Sequence, residues 1–98
     1  MITLVRTFQT LPGHQLAAIA TAREIAAHLV RKHGAPMSVI TPVGGNPFRI
    51  GYLVRYDDLA TLERVMAAMP GDDELAPLIG RIGTHMVPGS SHDEIWRH

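Results

Sequence analysis

A strand pattern gives way to a long helical pattern within residues 1–34, and that change constrains the fold more than any other feature. Residues 2–10, ITLVRTFQT, are rich in β-branched and aromatic side chains, the composition of a strand. Ile2, Leu4, Arg6 and Phe8 fall on one face, and Thr3, Val5, Thr7 and Gln9 on the other. Leu11-Pro12-Gly13 marks a turn. Residues 14–34, HQLAAIATAREIAAHLVRKHG, then take helical spacing. At 100° per residue, Ile19, Ala22, Ala26, Leu29, Val30 and His33 cluster on one side, with Glu24, His28 and Arg31 opposite. Arg31, Lys32 and His33 suit the negative end of the helix dipole, and Gly34 suits the position just past the helix. A strand followed directly by a long amphipathic helix must lay that helix back on a sheet.

The rest of the chain repeats the alternation. MSVITPV (37–43) and FRIGYLVRY (48–56) read as strands joined by GGNP (44–47), an antiparallel hairpin. Phe48, Ile50, Tyr52, Val54 and Tyr56 share one face of the second of these. DDLATLERVMAAM (57–69) reads as a helix capped by Asp57 or Asp58, with Leu59, Leu62, Val65, Met66 and Met69 as its apolar stripe. Asp72 and Asp73 open a further helical segment carrying Leu75, Leu78, Ile79, Ile82 and Met86. After the turn Pro88-Gly89-Ser90-Ser91, HDEIWR (92–97) is a short final strand. The predicted class is α+β, a ferredoxin-like βαββαβ sheet with helices on one face, in a single domain spanning 1–98.

Composition narrows the partners. Nine basic residues balance nine acidic ones, so no field draws in phosphate polymers and nucleic acid is not an expected partner. Near-zero charge lowers the barrier to self-association. The chain has no cysteine, which excludes disulfides, thiolate catalysis and cysteine metal sites and fits a reducing cytoplasm. The apolar run Ile2–Val5 is too short for a signal core, and the alanine-rich segment carries Arg23, Glu24, His28, Arg31 and Lys32, so no membrane association is expected.

VRTFQTLPGH (5–14), KHG (32–34), FRIGYLVRYDDLATLE (48–63) and VPGSSHDEIWR (87–97) resemble NIPSNAP-like proteins of the dimeric α/β-barrel superfamily. The resemblance implies a homodimer in which two four-stranded sheets close into a barrel with helices outside, and a pocket between sheet and helices in each subunit. It also implies either an accessory protein that binds a small, largely apolar organic molecule, or a cofactor-independent monooxygenase or isomerase acting on an aromatic or polyketide-like substrate. A purely structural dimer would have no such pocket. Haem-degrading relatives place an axial histidine on a helix of the second half. His85 and the surrounding THMV do not reproduce that motif, and no cofactor is expected.

Few residues have the chemistry for a site. Arg6 interrupts an apolar strand face, where a guanidinium requires an anion: a carboxylate, phenolate or enolate of a ligand, or an Asp or Glu side chain. His33, on the apolar side of the first helix, is the candidate for moving a proton. The catalytic candidates are thus Arg6 and His33, and the ligand-binding candidates are Arg6, Phe8, His33, Tyr52 and His85. In the tail, His92, Glu94, Trp96 and His98 alternate to one side of a strand, without HExxH or a paired helical histidine spacing. That segment reads as a strand, and no metal site is expected there or elsewhere in the chain.

Overall fold

The structure, a computed structural model, describes residues 1–98. The first period-two run forms β1 (Ile2–Gln9) and the first helical run forms α1 (Gln15–His33). β2 (Met37–Ile40) and β3 (Arg49–Tyr56) follow, then α2 (Leu59–Ala68), a single 3₁₀ turn at Met69–Gly71, α3 (Leu75–Gly83) and β4 (His92–Arg97). The strands make one antiparallel sheet in the order β2-β3-β1-β4. The predicted ferredoxin-like arrangement is therefore the observed one.

Alternation along the central strands decides which face is covered. Ile2, Leu4 and Phe8 of β1 and Ile50, Tyr52, Val54 and Tyr56 of β3 are buried in one core with Ala18, Ala22, Ile25 and Leu29 of α1, Leu62 and Val65 of α2, and Leu75 and Ile82 of α3. Val5 and Leu53, directly opposite each other on the other face, are only half-buried. No helix is long and apolar enough to cross a membrane.

The ends of the elements have local causes. Gly34 takes φ 65°, its N–H reaches the Val30 carbonyl at 3.1 Å, and the Ala35 N–H reaches Leu29 at 3.3 Å. This left-handed turn stops α1 directly after His33. The Asp58 carboxylate accepts the Thr61 N–H at 2.8 Å and caps α2. Two expectations are corrected. β2 ends at Ile40 instead of Val43, because Pro42 has no N–H for a ladder and Val43 is fully exposed. His28, assigned to the outer side of α1, is 3% exposed, whereas Val30, assigned to its apolar stripe, is 47% exposed. α1 packs against both the sheet and α3, so its buried surface is wider than a single stripe.

Gly51 marks the tightest approach within the sheet. A Cβ there would lie 2.3 Å from the Arg6 carbonyl oxygen, inside any permissible contact. The absence of a side chain lets β3 seat against β1 at the point where Arg6 turns into the molecule.

Candidate functional site

Between the sheet and α2–α3 lies a cleft of about 280 Å³. Leu4 and Phe8 contribute to it from β1, Val54 from β3, and Leu75, Ile79 and Ile82 from α3. Met37, Met66, Met69 and Met86 also line it, four of the chain's five methionines. Such unbranched, polarisable side chains let an apolar cavity adapt to the shape of its contents.

A polar row crosses this apolar surface. In register, Tyr52 of β3 stands opposite Arg6 of β1, which stands opposite Asp93 of β4. Arg6 Nε donates to Asp93 Oδ1 at 2.7 Å and Nη2 donates to Oδ2 at 2.8 Å. Of the two roles read for Arg6, the structure shows the intramolecular one. The hydrogen bond to Asp93 raises the arginine's pKa against the opposing effect of burial, and the same bond draws the Asp93 carboxyl below the usual carboxylate range.

Tyr52 differs from its neighbour. Its side chain is buried, it lines the cleft, and its hydroxyl has no hydrogen-bond partner. Burial pushes its pKa well above the usual phenol value, with the Arg6 charge opposing. A buried O–H without an acceptor is costly, and this one is covered by its neighbours in the wall of the cleft. The Phe8 ring packs 6.2 Å from that of Tyr52, tilted by 44°.

A second cluster lies where the end of α1 meets the start of α3. Asp72 Oδ2 accepts from His28 Nε2 and His33 Nε2, each at 2.7 Å. Asp72 Oδ1 accepts from Lys32 Nζ at 3.0 Å and from the backbone N–H groups of Glu74 at 3.1 Å and Leu75 at 3.2 Å. Asp72 therefore caps α3 and ties it to α1. Burial alone would raise its pKa, but hydrogen bonds from His28, His33, Lys32 and Leu75 outweigh burial and hold the carboxyl well below its usual range.

The predicted site residues are thus divided. Arg6, Phe8 and Tyr52 line the cleft, and Tyr56, Ser91 and the methionines join them. His33 turns to Asp72 and is not a lining residue. His85 places Nδ1 at 3.0 Å from Nδ1 of His14, beside the cleft's Met86 but outside its lining. In the tail, His92–Arg97 form an exposed edge strand paired with β1. Asp72 and His28 were missed as a pair because they are 44 residues apart and helical periodicity carries no record of such contacts. Asp93 was missed because its place opposite Arg6 depends on the pairing of the last strand with the first, which periodicity does not give.

No protein-family model and no curated protein matches the chain. Solved structures do match. An uncharacterised NIPSNAP domain protein from Burkholderia xenovorans superposes with a TM-score of 0.85 at 13% identity, covering 100% of this chain and 94% of that one. A protein from Agrobacterium tumefaciens gives 0.84 at 13% identity, covering 99% and 92%. SnoaB, a cofactor-independent oxygenase from Streptomyces nogalater, gives 0.72 at 13% identity, covering 99% and 91%. The chain shares their ferredoxin-like fold. At such identity the likeness is one of backbone architecture, and it carries no residue roles across.

Proposed function

We propose that this chain is a single NIPSNAP-like domain that works as a cytoplasmic homodimer and binds a small, largely apolar organic ligand between its sheet and helices. The observation that carries the reading is the Tyr52 hydroxyl, buried and unpartnered at the wall of an apolar cleft. A ligand that brings one acceptor, such as a carbonyl oxygen, and otherwise offers hydrocarbon would fill the space and, once the adaptable methionine side chains give way, satisfy that donor. Arg6 is neutralised by Asp93, so the cleft favours a neutral ligand over an anion. Dimerisation is supported by the helix-free face, where Val5 and Leu53 are half-covered and Trp96, beside Thr3, is 58% exposed.

The experiment is a fluorescence titration with Nile red, a neutral apolar dye that carries a carbonyl. One dye per chain should bind. Ile79→Trp, which fills the cleft from α3, should abolish binding, and Tyr52→Phe should weaken it. Binding that is absent, or indifferent to both changes, overturns the reading. Native mass spectrometry of the purified protein tests the dimer in parallel, and a monomer would refute that part.

The second reading is a cofactor-independent oxygenase or isomerase acting on an aromatic substrate. It draws support from the fold shared with SnoaB. Its chemistry would fall to Arg6 and Tyr52, since His33 is committed to Asp72. Turnover that survives Arg6→Met would remove Arg6 from that role.

A further inference from the structure

Away from the cleft, the side chains around Asp72 have the composition of a metal centre. We propose that His28 Nε2, His33 Nε2 and Asp72 Oδ2 form a binding site for a zinc-class divalent cation, with Lys32 as the resident cation that the metal displaces. This goes beyond the ligand-binding reading and does not depend on it.

The donor set comes first. One ligand atom from each of the three residues lies within 4.8 Å of the others. The His28, His33 and Asp72 side chains are 4%, 11% and 0% exposed. Two imidazole nitrogens and a carboxylate oxygen match the preferences of zinc, with water as the fourth ligand. Metal bonds of about 2.0–2.1 Å in a tetrahedron place neighbouring donors ~3.3 Å apart. The two contacts to Oδ2 are now 2.7 Å, so each must open by about half an ångström as a cation replaces the protons between them.

Asp72 has donors to spare. His28 and His33 reach Oδ2, while Lys32, Glu74 N–H and Leu75 N–H all reach Oδ1. A carboxylate offers about four lone-pair sites, so one donor can leave at little cost. Lys32 is the one free to go, because its side chain is 42% exposed and can turn into water. The two backbone donors stay on Oδ1, and α3 keeps its cap. His28 must then carry its proton on Nδ1. Glu74 Oε2, now 4.0 Å from that nitrogen and on an exposed side chain, closes in to accept it, while the exposed Arg31, which now donates to Nδ1 at 3.2 Å, swings away. A carboxylate behind a ligating histidine is the usual supporting arrangement at zinc sites.

The test is calorimetric titration of the chelator-treated full chain with Zn²⁺, repeated with Co²⁺ to read its visible absorption band. The expected result is one ion per chain and a tetrahedral cobalt spectrum. His33→Gln, which retains a hydrogen bond to Asp72, should abolish both signals, and Glu74→Gln should weaken binding by about tenfold. Lys32→Met should tighten it, a gain that misfolding cannot produce. The double variant His92→Gln/His98→Gln should bind as the parent does. No binding by the parent, binding retained in His33→Gln, binding lost in the tail variant, or an unchanged affinity in Lys32→Met would each overturn the proposal.

Discussion

Arg6 and Asp93 face each other across the β1–β4 ladder and are joined through both guanidinium nitrogens nearest the carboxylate, at 2.7 and 2.8 Å. The pair fastens an edge strand whose other side chains are all exposed. It also balances the charge of the one basic group lining the cleft. Both side chains are 39% exposed, so solvent screening leaves the pair worth about 0.5 kcal/mol. Asp93 is held below its unfolded pKa, so its contribution is present above that value and lost as pH falls through the folded one. Asp93→Asn should therefore lower the urea midpoint at pH 7, and the difference should shrink as pH falls below the usual carboxylate range.

Tyr52→Phe should stabilise the ligand-free protein by about 1 kcal/mol, because it removes a buried donor that has no partner. The raised phenol pKa makes a second check possible. The folded state holds that proton above the unfolded tyrosine value of about 10, so stability declines as pH rises beyond it. Denaturation at alkaline pH should show a shallower decline for Tyr52→Phe than for the parent.

Asp72→Ala should destabilise more than any other single removal of a polar side chain. It strips the cap from α3 and leaves the buried His28 without its acceptor. The carboxyl's lowered pKa means its stabilising effect is complete above the usual carboxylate range and is lost only in strong acid. Acid unfolding followed by circular dichroism should start at higher pH in His33→Leu, which withdraws one of the interactions holding the pKa down.

Gly51→Ala should cost about 1–3 kcal/mol, the range of overpacking in a tight site. The added methyl meets the Arg6 backbone carbonyl, which cannot rotate away as a side chain can. Urea denaturation measures the loss, and dye binding in the cleft should weaken with it, since Arg6 shifts when β1 and β3 separate.

The order of elements was legible because each period persists long enough to be read: eight residues in β1, nineteen in α1. What could not be read depends on contacts between distant segments. His28 was assigned to the solvent side because a helical wheel averages over one buried face, whereas α1 meets α3 as well as the sheet. His33 sits at the end of the apolar stripe, yet Asp72, 39 residues on, draws its imidazole away from the cleft. Arg6 was recognisable as a charge needing an anion, and the choice between a ligand and Asp93 rested on a register between the first and last strands. Tyr52 was recognisable as lining, while its unpaired hydroxyl emerges only from the packing around it.

In the strand order β2-β3-β1-β4, the two halves of the chain are interleaved. Cleavage in the 41–48 loop would separate β1-α1-β2 from β3-α2-α3-β4. Within each fragment the two strands are not neighbours, so neither piece can close a single ladder on its own. The polar row is divided by the same cut, with Arg6 on one piece and Tyr52 and Asp93 on the other. The fragments would therefore be disordered apart and ordered only as a complementing pair, and the cleft would exist only once they had met.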